Sequence, residues 1–242
     1  MLSGRERSGG RRSARRSSDA IYDRSDAGRK LAGALAGYKD QQPVVLALPR
    51  GGVPVAAEVA AALDAPLDLI LVRKLGVPAE PELAMGAVVD GAAPIVVRND
   101  DVIRIADVGE AEFNAARDAE LAEIERRRRR YLGDRERADV AGRTAIVIDD
   151  GIATGATIRA ALRATRMRKP KKLVVAVPVA PTESRVELRG EADDIGCVEW
   201  HKCFGAIGAY YADFQQVSDE EVIETLKRFA PAKSPTAVRQ RS

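Results

Sequence analysis

The sequence predicts an α/β fold in which helices flank both faces of a parallel sheet. Three observations lead there. Short apolar, β-branched runs occur at residues 44–48, 67–72, 145–148 and 173–179, and continuous runs of this kind suit strands buried on both faces. Strand and helix patterns alternate along the chain, as a doubly wound parallel sheet requires. Hydrophobic residues make up 45% of the chain but aromatics only 4%, so the core is expected to be built of Val, Leu, Ile and Ala.

Length and composition set further bounds. The 242 residues suffice for one large domain, or for a core with an accessory lobe. The net charge of +3 is mild. No apolar run reaches the roughly 18 residues of a membrane span, and the Arg-rich N-terminus lacks the apolar centre of a secretory signal. Cys197 and Cys203 are the two cysteines and His201 the single histidine. That set gives neither a disulfide framework nor a usual zinc site, and their closeness along the chain argues against a metal centre. A cytoplasmic location is the expectation.

The elements follow in order. Residues 1–20 read as a disordered basic tail, rich in Ser, Gly and Arg and without periodicity. The folded domain is placed at 21–230, with its core at about 40–195. It opens with a helix capped by Asp23 or Ser25, carrying Ala27, Leu31, Leu35 and Tyr38 on one face. The strand at 44–48 runs into Pro49, Arg50, Gly51 and Gly52, and Pro54 suits the first turn of the next helix. The strand at 67–72 ends in Arg73 and Lys74. Residues 75–83 lack periodicity and read as an irregular, mobile loop. A hairpin follows, from 85–89 through Asp90 and Gly91 to 95–97.

Residues 99–134 form a mostly helical insertion with Phe113, Ala116, Leu121, Ile124 and Tyr131 as its apolar stripe. Five consecutive arginines, Arg126 to Arg130, invite a nucleic-acid reading. Consecutive helical positions spread around the cylinder, however, and Glu120, Glu123 and Glu125 lie within ion-pairing reach. A solvated helix face is therefore expected. Pro178 marks the strand at 173–179 as an edge or a strand end. Thr182 is placed as the cap of a helix with Val186 and Leu188, and a short strand follows at 195–198. An aromatic-rich lobe at about 196–216 holds Trp200, Phe204, Tyr210, Tyr211 and Phe214. Ser218 and Glu221 then open a final helix with Val222, Ile223 and Leu226, and 231–242 is a polar tail.

The most informative stretch starts at Thr144. An apolar strand ends in Asp149 and Asp150, where open α/β sheets place their ligands. Gly151, Ile152, Ala153, Thr154, Gly155, Ala156 and Thr157 then lead into a helix. Backbone N–H groups of a small-residue loop at a helix N-terminus form an anion cradle, and the two threonines add hydroxyl donors. Adjacent carboxylates would repel a phosphate, so they fit ribose hydroxyls, or Mg²⁺ held by a ligand. No Lys follows the last glycine, so the loop is not a Walker A motif.

This string resembles the 5-phosphoribosyl-1-pyrophosphate (PRPP) signature of type I phosphoribosyltransferases, with every position filled. The resemblance implies a Rossmann-like parallel sheet with a small hood, the aromatic lobe above. It implies that Asp149 and Asp150 bind the ribose 2′- and 3′-hydroxyls, and that Ala153 to Thr157 bind the 5′-phosphate. Arg50, Gly51 and Gly52 occupy the place of the family's pyrophosphate loop, with Arg73 and Lys74 as further cations. The family's flexible loop, which closes over PRPP, would fall at 75–83. In purine-salvage members a hood aromatic stacks on the base. Trp200 and Phe204 are the candidates here, and Phe204, Gly208, Tyr210 and Asp213 look similar to that region, with a different spacing to Asp213. A local aromatic core packing the C-terminal helix is the alternative for Tyr210, Tyr211 and Phe214.

The expectation is a Mg²⁺-dependent phosphoribosyltransferase, a homodimer by resemblance, that moves phosphoribosyl from PRPP to a nitrogenous acceptor. Arg50, Lys74, Asp149 and Asp150 are its catalytic candidates. The alternative is a PRPP-sensing regulator without turnover, its basic segments touching nucleic acid. A nucleophilic-aspartate phosphatase is excluded by the adjacency of Asp149 and Asp150.

Overall fold

The computed structural model describes residues 20–91 and 94–229. The tails expected at 1–20 and 231–242 lie outside these residues, apart from Ala20. Five parallel strands form the main sheet, in the order β2-β1-β6-β7-β8: β1 (Pro43–Ala47), β2 (Leu67–Leu69), β6 (Thr144–Ile148), β7 (Lys172–Pro181) and β8 (Asp194–His201). β1 and β6 are buried at every position, as their unbroken apolar runs predict. Ala47 pairs with Ile148, so these two strands end side by side. Segments far apart in the chain thus leave the sheet at the same edge.

Helices cover both faces. On one lie α1 (Arg24–Leu35) and α2 (Gly52–Leu63), packing Leu31, Leu35, Val55 and Val59 onto Val45, Ala47, Ile146 and Ile148. On the other, α5 (Ala156–Met167) packs Ile158, Ala161 and Leu162 onto Ala145, Val147, Val175 and Val177. Asp23 caps α1, its carboxylate accepting the Asp26 N–H at 2.7 Å.

Several sequence expectations are corrected. The second strand stops at Leu69. Arg73 and Lys74 belong to β3 (Val72–Val77), which pairs antiparallel with β4 (Glu80–Val89) and not with the main sheet. Residues 75–83 are therefore a hairpin turning at Pro78 and Ala79, held by cross-strand hydrogen bonds, and not an irregular loop. The strand shifts register on either side of Gly76, which blurs the alternation that would have identified it. The expected hairpin is present as β4 and β5 (Ile95–Arg98).

β7 is not an edge strand, because β6 and β8 flank it. Its proline is tolerated because Pro178 lies beyond Ala176, the last residue paired with β6. Thr182 does not cap a helix. Its N–H bonds back to the His201 carbonyl at 2.9 Å, extending the β7–β8 pairing, and α6 (Ser184–Leu188) starts after it.

The insertion consists of α3 (Asp100–Ile105) and α4 (Glu110–Leu132). α4 buries Phe113, Ile124, Tyr131 and Leu132. Four of its five consecutive arginines are ion-paired: Arg126 and Arg127 with Glu123, Arg129 with Glu125, and Arg130 with Asp219 and Glu220. Hydrogen bonds from Arg126 and Arg127 hold the Glu123 carboxyl down to about 2. α7 (Asp219–Lys227) begins with the expected capping box, Ser218 and Glu221 each bonding the other's backbone N–H.

Candidate active site

Because β1 and β6 end together, the loops that follow them meet. The β1 loop turns immediately into α2: the Gly52 N–H bonds the Leu48 carbonyl at 3.0 Å, and the Leu48 N–H bonds the Ile148 carbonyl at 2.9 Å. Both glycines are required by approach distance. A Cβ on Gly51 would sit 2.0 Å from the Asp150 Oδ2, and one on Gly52 would sit 2.8 Å from the Ile148 carbonyl. The Arg50-Gly51-Gly52 loop therefore rests directly on the Asp149–Asp150 pair. The Pro49–Arg50 peptide is cis.

The two carboxylates are held differently. Asp149 Oδ1 accepts the Asp150 N–H at 2.9 Å. Burial, together with the negative charge of Asp150, pushes the Asp149 carboxyl well above the ordinary carboxylate range. Asp150 is ion-paired with Arg24, whose Nε and Nη2 reach Oδ2 at 2.9 and 2.8 Å. Both side chains of this pair are about nine-tenths buried, at 11% and 12% exposure. Arg24 is itself fixed, with its guanidinium 3.8 Å from the Phe214 ring centre and Nη1 donating to the Gln215 carbonyl at 2.6 Å. The Tyr211 hydroxyl donates to the Asp150 carbonyl at 2.6 Å.

After Asp150 the chain passes under the aromatic lobe. Gly151 is buried against Ile207, and a Cβ there would come within 2.7 Å of the Ile207 side chain. The Ile152 N–H bonds the Val179 carbonyl at 3.0 Å. Gly155, the residue before α5, has φ +72°, a left-handed conformation that glycine adopts freely. Ala153, Thr154, Ala156 and Thr157 are exposed. α5 has no side-chain cap and no acidic residue in its first turn. Its open N–H groups and two hydroxyls can thus cradle an anion.

Each candidate cation faces a carboxylate. Arg50 is partly exposed and lies 3.6 Å from Asp219. Arg73 is paired with Glu120 of α4 at 2.6 Å, and Lys74 with Glu82 across the hairpin at 3.2 Å. Trp200 and Phe204 are not brought together. Trp200 packs on the face that carries α5 and lies under Arg185, whereas Phe204 packs on the face of α1 and α2. Phe204 stacks on Tyr210, with ring centres 4.7 Å apart, and His201 lies 4.2 Å from Tyr210. Tyr211 and Phe214 pack on each other, and Phe214 seats Arg24, joining the lobe to the N-terminal helix.

Among the described residues no group of three His, Cys, Asp or Glu side chains converges to hold a metal ion. Asp149 and Asp150 supply hard carboxylate oxygens of the kind Mg²⁺ takes. Two carboxylates beside an anion cradle fit an ion that arrives with a phosphorylated ligand better than a resident one. Among the described residues, no helix is long and apolar enough to cross a membrane.

Sequence reasoning missed Arg24, Tyr211 and Asp219. Arg24 sits in an ordinary amphipathic helix and shows no local signal. In the sequence Tyr211 is one aromatic among several. The β-bridge between Ile21 and Tyr211 brings the two ends of the domain to Asp150, which no local pattern reveals.

Comparison with known proteins identifies the family. The chain is 47% identical over 206 residues to Rv0571c of Mycobacterium tuberculosis (strain H37Rv), which is named as a candidate phosphoribosyl transferase. The match covers 85% of this chain and 46% of that protein, so the chain spans about half the length of this curated relative. The crystal structure of TT1426 from Thermus thermophilus is 40% identical, with a TM-score of 0.76, covering 88% of this chain and all of that one. Residues 17–215 match the family described as the phosphoribosyl transferase domain. The parallel five-stranded sheet flanked by helices is the type I fold expected of that family, and the chain belongs to it.

Proposed function

We propose that this chain transfers 5-phosphoribosyl from PRPP to a nitrogenous, nucleobase-like acceptor and releases pyrophosphate. One observation carries the reading. The Arg50-Gly51-Gly52 loop and the Asp149–Thr157 stretch are in van der Waals contact, so two anion-binding loops flank one carboxylate pair. PRPP has the matching pattern: a 5′-phosphate at one end, a pyrophosphate at the other and two ribose hydroxyls between.

In this reading the α5 N-terminus, with Thr154 and Thr157, binds the 5′-phosphate. The ribose hydroxyls donate to Asp149 Oδ2 and Asp150 Oδ1, the oxygens not taken by the backbone or by Arg24. Arg50 and the Gly51–Gly52 backbone receive the pyrophosphate, with Arg73 and Lys74 at the hairpin. The C1′–O bond breaks with its electron pair going to pyrophosphate, the acceptor nitrogen bonds to C1′, and its proton passes to solvent. The ribosyl centre gains oxocarbenium character, so no protein nucleophile is needed. The chain contributes orientation and positive charge at the leaving group. Mg²⁺ bound to the pyrophosphate would add charge neutralisation near Asp149 and Asp150. A homodimer in the cytoplasm belongs to the same reading, and light scattering tests the dimer.

The regulator alternative is less favoured, because four of the five arginines of α4 are engaged by carboxylates of the chain itself. Calorimetric titration of PRPP with Mg²⁺ into wild type and Asp150→Asn tests the proposal. Binding that the variant loses supports it and leads to nucleobase screening for pyrophosphate release. No binding to folded wild type overturns it.

A further inference from the structure

We propose that Asp219 is a positioning residue for Arg50, and that the helical insertion acts on the diphosphate subsite through it. The proposal rests on reading Arg50 as a pyrophosphate ligand. Asp219 is the first residue of α7, and three groups converge on its carboxylate. The Tyr131 hydroxyl donates to Oδ1 at 2.5 Å, Arg130 Nη1 pairs with Oδ2 at 2.9 Å, and Arg50 Nη1 lies 3.6 Å from Oδ1. Tyr131 and Arg130 are neighbours on α4. The last of the five consecutive arginines is thus a support for this carboxylate.

The distances define the role. Tyr131 and Arg130 make short, direct contacts and hold Asp219 in place. Its backbone is fixed as well, because Ser218 and Glu221 box the start of α7 while Val222 and Leu226 bury its face. Arg50, in contrast, stands just beyond hydrogen-bond length. It feels the carboxylate as a charge while its N–H groups stay available to an anion. A carboxylate already shared between a hydroxyl and one guanidinium is a weak competitor for a second. This arrangement orients Arg50 without occupying it. The same α4 also holds Arg73 through Glu120 at 2.6 Å, so the insertion pairs one cation of the subsite directly and holds the carboxylate that faces a second, Arg50. The Asp219 carboxyl stays below its ordinary range, through the Tyr131 hydrogen bond and the nearby Arg130 and Arg50, so it is ionised at neutral pH.

The test uses the full chain, with inorganic pyrophosphate plus Mg²⁺ and, separately, ribose 5-phosphate as calorimetric probes. Asp219→Asn should weaken pyrophosphate binding about three- to tenfold and leave ribose 5-phosphate within about twofold. The effect should disappear in an Arg50→Ala background, and Asp219→Glu should restore part of it. Several results would overturn the proposal: unchanged or tighter pyrophosphate binding, an equal loss for ribose 5-phosphate as expected from local unfolding, or a loss that persists without Arg50. Wild type that binds ribose 5-phosphate but not pyrophosphate removes the assigned role of Arg50. Wild type that binds neither probe removes the reading of the whole site, and the proposal with it.

Discussion

Gly51 lies against Asp150 so closely that a single added methyl group would meet the carboxylate Oδ2 at 2.0 Å. No rotamer of alanine relieves such a contact, so either the loop or the carboxylate must move. Gly51→Ala should cost about 1–3 kcal/mol of stability, in the range of overpacked sites, and lower PRPP affinity at least tenfold. Urea unfolding and calorimetry check the two effects. Gly33→Ala is the matched control. It lies in α1 with open space around the new Cβ and should stabilise the fold by about 0.5–1 kcal/mol through helix propensity. Equal behaviour of the two variants would contradict the close approach.

Asp149→Asn should separate stability from binding. A carboxyl held above its ordinary value of 3.8 by burial and by Asp150 favours the folded state when protonated. That contribution is complete below about pH 3.8 and is lost as pH rises through the folded-state value. At neutral pH, well above the unfolded value, the group therefore opposes folding relative to acid, and asparagine removes that titration. The variant should melt about 2–8 °C above wild type at pH 7, corresponding to about 1–2 kcal/mol, and lose PRPP binding. The gap should shrink toward pH 4. Melting curves across that range decide it, and a gap that widens on acidification would refute the assignment.

Arg24→Met should be among the most damaging changes outside the two loops. It strands Asp150, nearly buried, beside Asp149 and removes the cation over Phe214. Breaking one side of such a pair typically costs about 3–5 kcal/mol. The double variant Arg24→Met/Asp150→Asn should regain a good part of that loss, since no unpaired charge remains at that pair. Additive losses in denaturant unfolding would show that the pair is not energetically coupled.

The two cysteines should react at very different rates. Burial pushes the Cys197 thiol up to about 12, while Cys203 is exposed. At pH 8, a thiol reagent should modify one equivalent rapidly and the second only after unfolding. Peptide mapping should place the fast label on Cys203.

Much of this was legible in the sequence because it is local. The runs at Val45 and Ile146 are apolar without alternation, and only strands buried on both faces need that. The string from Asp149 to Thr157 carries its chemistry in consecutive residues, so its place at a strand end and helix start could be read directly. The hairpin of β3 and β4 could not, because Gly76 sits at register shifts that interrupt the period of two, and two prolines imitate a loop. Of the two readings of Pro178, the edge strand fails and the strand end holds in part: β7 is flanked on both sides, but no donor is needed where β6 has already ended. Arg24 and Asp219 were invisible because their meaning comes from partners far along the chain. Trp200 and Phe204 were grouped by composition, and β8 and the turn after it send them to opposite faces of the sheet.

The bridge between Ile21 and Tyr211 has a bearing on how the chain is made. Both loops of the candidate site leave the ribosome well before Tyr211 does, and the first helix precedes them both. A nascent chain stopped just before the aromatic lobe therefore holds Arg24, Arg50 and Asp150 but lacks the hydroxyl that bonds Asp150 and the ring that seats Arg24. Its contacts of greatest sequence separation can form only after that point, and contacts of this kind slow folding in general. Synthesis in this order leaves fragments with both loops but without the tyrosine and phenylalanine that fix the carboxylate and the arginine between them, so the candidate site is completed only when translation has run through the aromatic lobe.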